Sequence, residues 1–359
     1  MSFEIHLRRC GGLAVLSLAL ASCGGGSDNA AVTPVTATPT FSVASGPYTS
    51  AQSVSITDTT SGAVIYYTLD GTTPATTVGG STLLYSAALA VNSSTIIEAV
   101  ALAPSHTVSA LNAAAYTIGA QAAAAGIWAG VDSEATPVTI IGFVTSDGQS
   151  VFIHAGATNP DIYLYSGPVS VSGTTFTSTL SGFSNFPYAF ADNSTTGAGT
   201  FDATLATQAT LTGPLAFTST GGTSYPSTWT LNYSSDSLVG SSLAMVAGSY
   251  TDANTVADNT PDPILGATVT ISASGTISST AASSGCVMSG AIAINDPTID
   301  VYEFSYSFTG CTGAPWSALN SVMFSGLAAL DTGASQLVTA ASSQGGGTPY
   351  GLVLAFNLN

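Results

Sequence analysis

Ile65–Pro74 reads "IYYTLDGTTP". Five residues of alternating pattern run into Asp70-Gly71, the pair that supplies the backbone angles of a tight turn. Thr72, Thr73 and Pro74 continue the turn and stop the ladder, because proline has no N–H to donate. The stretch therefore predicts a strand that ends in a tight turn. Outward from it the same grammar repeats. "QSVSITD" (Gln52–Asp58) alternates Val54 and Ile56 with polar residues, and "AVIYYTLDG" (Ala63–Gly71) sends Val64, Tyr66 and Thr68 to one face and Ile65, Tyr67 and Leu69 to the other. "LLYSAALAV", "STIIEAVAL" and "SALNAAAYTI" follow, separated by turn residues. About seven short strands in some eighty residues predict an immunoglobulin-like sandwich.

These residues also carry a resemblance. "PTFSVASGPYTSAQSVSITDTTSGAVIYYTLDGTTP" and the later "AVALAPSHTVSALNAAAYTI" resemble the small β-sandwich appended to chitobiases, β-hexosaminidases and some fucosidases, whose signature is "YYT-x-DGTTP", here Tyr66 to Pro74. The resemblance covers residues 39–118 and implies a sandwich fold. In those enzymes catalysis belongs to a separate barrel, which nothing in this chain resembles, and the same sandwich recurs as a spacer in bacterial surface proteins. Tyr66 and Tyr67 are read as scaffold residues that bridge core and surface, with a sugar-stacking platform as the functional alternative.

Residues 119–125, "GAQAAAA", are expected to be a linker. Beyond it, "GIWAG" (Gly126–Gly130) and "AGSYTD" (Ala247–Asp252) open two stretches, residues 126–246 and 247–359, whose openings lie 248 − 126 = 122 residues apart. Each stretch offers about eight short strands, which suggests a tandem repeat of meanders. Meanders remove their exposed edges by closing into barrels, and the apolar end "GLVLAF" is expected to close one. The fold class is thus all-β, an immunoglobulin-like sandwich followed by an antiparallel barrel-like region of two tandem halves. The "G-x-W" start vaguely resembles lipocalins and the barrels of surface-exposed lipoproteins.

The N-terminus reads as an address. Arg8 and Arg9 precede "LAVLSLALAS", an apolar run too short to span a bilayer, so residues 1–22 read as a secretory signal peptide. Leu20-Ala21-Ser22-Cys23 resembles the lipobox of bacterial lipoproteins, which implies that Cys23 becomes the lipidated first residue. Residues 23–38, opening on Cys23 and "GGGSDNAA", read as a flexible tether. Gly24 stands where Asp would signal retention in the inner membrane, so the resemblance implies the outer membrane. Cys286 and Cys311 remain, 311 − 286 = 25 residues apart at the edges of two strand-like runs. An even pair in an oxidising compartment predicts a disulfide.

Charge narrows the partners. The chain holds two Lys+Arg against 19 Asp+Glu, for a net charge of −17, and both basic residues are Arg8 and Arg9. Without them no side chain can release counterions from a phosphate backbone, which excludes nucleic acid. Cations and uncharged glycans remain compatible. No catalytic constellation is evident. His106 and His154 are too few for a zinc site and lack a nucleophile elbow, so His154 reads as a strand histidine with a local partner. Glu98, Glu134 and Glu303 are the only glutamates after residue 22, and glycoside hydrolysis needs a facing pair. Asp252, Asp258 and Asp262 share a loop whose spacing departs from an EF-hand, so it reads as a solvated acidic loop with calcium as the alternative. No cofactor or metal site is expected. The expected role is that of an outer-membrane lipoprotein with non-catalytic binding or structural work. Its partners would be the membrane through the lipid, and a glycan or another envelope protein. The alternatives are a glycan-binding accessory protein, with Trp128, Trp229 or Trp316 as exposed stacking platforms, and a carrier of small hydrophobes in a barrel interior.

Overall fold

The computed structural model describes residues 33–119, 121–155, 162–252, 262–344 and 349–359. The signal peptide, Cys23, residues 24–32 of the tether and Asp258 lie outside these residues.

The N-terminal part is a sandwich. Its short strands are β1 (Thr40–Phe41), β2 (Gly46–Tyr48), β3 (Gln52–Val54), β4 (Ile56–Thr57), β5 (Val64–Thr68), β6 (Leu83–Leu84), β7 (Leu89–Val91), β8 (Thr95–Leu102) and β9 (Asn112–Ile118). A five-stranded sheet ordered β2-β9-β8-β5-β6 packs against the pairs β1-β4 and β3-β7. Val54, Ile56 and Val91 from the pairs meet Ile65, Tyr67, Ile97 and Tyr116 from the large sheet in one buried core. The Asp-Gly turn forms as expected. Gly71 has φ +70°, and Asp70 Oδ1 accepts from the Thr72 amide at 3.1 Å and its hydroxyl at 2.6 Å. Hydrogen bonds from the Ser81 side chain, then from Thr72, hold the Asp70 carboxyl below its ordinary range.

Two closed barrels follow, each with eight antiparallel strands in meander order. The first comprises β10 (Gly126–Val131), β11 (Thr139–Val144), β12 (Gln149–Ala155), β13 (Ile162–Ser172), β14 (Thr175–Ser184), β15 (Thr196–Ala206), β16 (Thr210–Ser219) and β17 (Ser227–Tyr233). The second comprises β18 (Gly248–Asp252), β19 (Thr268–Ile271), β20 (Thr276–Ser279), β21 (Val287–Ile294), β22 (Tyr302–Thr309), β23 (Met323–Asp331), β24 (Gln336–Gln344) and β25 (Gly351–Leu358). Pairing of Trp128 with Tyr233 closes the first barrel, and pairing of Tyr250 with Leu358 closes the second.

Strict alternation explains the barrels. In β14 and β16 buried and exposed residues alternate almost without exception, sending Phe176, Leu180, Leu211, Leu215 and Phe217 inward and threonines outward. The barrels therefore have apolar interiors and, on these strands, hydroxyl-rich exteriors, the pattern of a barrel standing in water rather than in lipid. Gly182 and Gly197 make room for one large ring: a Cβ on either would come within 2.3 Å of the Phe217 side chain. Among the described residues no helix is long and apolar enough to cross a membrane.

The strands β11 and β12 break the alternation. They are buried on both faces, because their outer residues Ile141, Phe143, Val151 and Ile153 join Leu327, Ala329, Val338 and Ala340 of the second barrel in a shared apolar layer. Hydrogen bonds stitch the seam: the Phe186 amide donates to the Gly351 carbonyl at 2.9 Å, and the Val353 amide to Asn185 Oδ1 at 3.2 Å. The sandwich is held as well, by Ser94 donating to buried Asp296 at 2.5 Å and by Thr117 against Thr298 at 2.5 Å.

The segment expected to be a linker is packed. Ala122, Ala124 and Ala125 are buried, and Gln121 Oε1 accepts from the Val171 amide at 2.6 Å. Small apolar side chains let these residues lie against the end of the first barrel, and they lose their character as a spacer.

Candidate functional site

A cleft of about 650 Å³ lies between the two barrels and opens to solvent. Strands β12–β14 form one wall and β21–β24 the other. Val151, Leu164 and Leu327 belong both to the groove and to the inter-barrel apolar layer, so its floor is apolar. Its walls carry hydroxyls: Ser166 and Ser181 on one side, Ser305 and Ser325 on the other. This follows from alternation, since the outward positions of these strands hold small polar residues. Glu303, exposed on β22, is the one carboxylate among the described residues lining it, and its Oε1 accepts from Asn295 at 3.0 Å. A single carboxylate does not furnish the facing pair of a glycoside hydrolase.

A second cluster sits at the rim of the first barrel. Asp132, just after β10, and His154, on β12, are both buried, and His154 Nε2 lies 3.0 Å from Asp132 Oδ2. Asp132 Oδ1 accepts from the Val138 amide at 2.9 Å and the Glu134 amide at 3.3 Å, which folds the 132–138 loop back on itself. Glu134 is exposed, and its carboxylate completes a set of three groups whose ligand atoms lie within 4.8 Å of one another. Tyr163 stands 5.7 Å from the imidazole and stacks on Phe190 at 4.9 Å, making an aromatic wall.

The remaining candidates disperse. His106 lies in a sandwich turn with Nδ1 2.8 Å from the Pro104 carbonyl, and Glu98 lies on β8. Asp252 ends β18, while Asp262 is buried and accepts from the Ile264 amide at 2.8 Å. Trp128 and Trp229, which the glycan-binding alternative would present as exposed platforms, are both fully buried inside the first barrel. They are large inward-facing residues on closing strands, so the interior claims them. Trp316 is half-buried against Phe186, with ring centroids 5.9 Å apart. Tyr67 is buried in the sandwich core, edge-on to Tyr85, while the half-buried Tyr66 faces the opposite side of its strand, so the two form no common platform. Cys286 and Cys311 are bonded, with Cα atoms 4.0 Å apart, where β21 begins and β22 ends.

Sequence reasoning named Glu134 and His154 but did not join them. The signal was Asp132-x-Glu134 directly after a strand, and only the register, with Gly130 opposite Ile140 and Ile140 opposite His154, brings it to the histidine.

Comparison with known proteins agrees with the sandwich. Residues 43–112 match the family model described as the Chitobiase/beta-hexosaminidase C-terminal domain, so the N-terminal part is a sandwich of that type. No curated protein and no solved structure matches the chain.

Proposed function

We propose that the chain is a lipid-anchored protein of the bacterial outer membrane, exported by residues 1–22 and held by Cys23, and that it binds neutral glycans in the groove between its barrels. The observation that carries this reading is the chemistry of that groove, apolar on its floor and hydroxyl-lined on its walls. A pyranose has an apolar C–H face and a rim of hydroxyls, and such a surface can meet both. No Lys or Arg follows Arg9, so nothing pairs with a sulfate, phosphate or uronate, and acidic glycans are disfavoured. The sandwich, similar to modules appended to glycan-processing enzymes, would act as spacer. The carrier reading has less support, because the space lies between the barrels while their interiors hold Trp128, Trp229, Tyr306 and Phe324.

The test is a glycan screen of the protein with neutral, amino-sugar and acidic ligands. Neutral glycans should bind. Ser181→Trp and Ser305→Trp, which fill the groove from opposite walls, should each abolish the signal, and Trp316→Ala should leave it. A blank neutral set, or binding indifferent to both fillings, would sink the reading.

A further inference from the structure

The rim cluster is independent of the groove, and we infer that Asp132, Glu134 and His154 bind a divalent transition-metal ion of the zinc class. Two carboxylates and an imidazole are the donor set of such ions; the nitrogen ligand separates them from calcium and magnesium, which take oxygen. Asp132 Oδ2 and His154 Nε2 are hydrogen-bonded at 3.0 Å and would separate only slightly around an ion, since tetrahedral bonds of about 2.0–2.2 Å place neighbouring ligands roughly 3.3–3.6 Å apart. Glu134 completes the set within 4.8 Å, and its exposed side chain is free to close on the ion.

Two further observations point the same way. First, no Lys or Arg lies against these carboxylates, since none follows Arg9. Second, His154 is only 8% exposed, and its Nε2 is directed at the Asp132 carboxylate, where a ligand nitrogen has to stand. The loop is already ordered for the task, because Asp132 Oδ1 is committed to two backbone amides and leaves Oδ2 for the ion. On binding, Nε2 gives its lone pair to the metal and the ring proton resides on Nδ1. Three protein ligands leave a fourth position to water on the exposed side.

Cobalt(II) is the probe, titrated into the full metal-stripped chain and followed by its visible absorption. One equivalent should give d–d bands that zinc abolishes and calcium does not. Glu134→Gln, at an exposed position, should leave the thermal midpoint of the metal-free protein unchanged and weaken cobalt binding about tenfold or more. His154→Gln should do the same to binding. Absence of d–d bands overturns the inference. So does binding that survives both substitutions, or that calcium displaces as readily as zinc.

Discussion

In the first barrel Trp128 donates its indole N–H to the carbonyl of Ala124, four residues back, at 2.8 Å. In the second, Tyr250 donates its hydroxyl to the carbonyl of Val246, also four residues back and also at 2.8 Å. Both pairs are offset by the same interval, 250 − 128 = 246 − 124 = 122. Both aromatics stand two residues after the glycine that opens the barrel, and both are fully buried. Two different donors, an indole N–H and a phenol O–H, thus perform one task on a backbone carbonyl, tying the incoming chain across the end of a closed sheet. Elsewhere the barrels diverge. The first fills its interior with an aromatic cluster in which Trp229 meets Phe201 at 4.9 Å and Phe152 at 5.4 Å. The second relies on tyrosines, with Tyr306 stacked on Phe324 at 5.3 Å, and on a disulfide. The two barrels therefore share a topology and one anchoring device, while their fillings differ.

If the anchors are equivalent, Trp128→Ala and Tyr250→Ala should destabilise the protein by similar amounts, each about 3–5 kcal/mol, through loss of a buried ring and the cavity left behind. Denaturant unfolding measures both, and a cost below about 1 kcal/mol for either would break the equivalence. If the shared apolar layer couples the barrels, both variants should show one transition.

The second barrel also holds a buried carboxyl, Asp300. It is fully buried just before β22, and burial pushes its carboxyl up to about 7, with the charges of Asp236 and Asp331 adding to the shift and the Leu330 amide, 3.2 Å away, opposing it. Its unfolded value is near 3.8. The folded state therefore binds the proton more tightly, and this contribution is full below about pH 4 and lost as pH rises through about 7. Asp300→Asn should be more stable than the parent at pH 8, by at most about 4 kcal/mol, with the difference vanishing near pH 4. Thermal midpoints across that range check it; a difference independent of pH would refute it.

The disulfide comes next. Cys286→Ala with Cys311→Ala opens a loop of 25 residues and should cost about 3.5 kcal/mol in the chain-entropy model. In a Trp316→Phe background the remaining tryptophans, Trp128 and Trp229, lie in the first barrel, so their fluorescence should still register the shift if the inter-barrel layer couples the two. A fluorescence midpoint that stays fixed while circular dichroism moves would separate the barrels.

These contrasts also mark what could be read from the chain. Alternation such as Thr175 to Ser184 announces a strand with one apolar face, and glycine-led openings announce where each meander starts. Closure could be expected, but its partners, Trp128 with Tyr233 and Tyr250 with Leu358, are long-range pairings that no local pattern encodes. "TIIGFV" carried a signal that went unused: an unbroken apolar run implies burial on both faces, and its second face is the inter-barrel layer. The tryptophans misled because residue type says little about which side of a strand an isolated aromatic occupies. The rim cluster was hidden for a related reason. Asp132 and His154 are 22 residues apart, and only two successive hairpins place them side by side.

The smallest expected effect is the sharpest test of the anchors. Tyr250→Phe keeps the ring and removes only the hydroxyl that Val246 accepts from. A buried carbonyl that loses its donor should cost about 1–2 kcal/mol. The loss should be local, because the 2.8 Å bond ties β18 to the lead-in residues and β18 pairs with both β19 and β25. Amide exchange at Gly248–Asp252 should therefore quicken while exchange at Gly126–Val131, whose anchor is intact, stays slow. Equal quickening in both openings would mean that the anchors act through the barrels' common interface. No change in either would mean that ring burial alone seats the incoming chain, and the two hydrogen bonds at matching offsets would then be incidental to how each barrel is held shut.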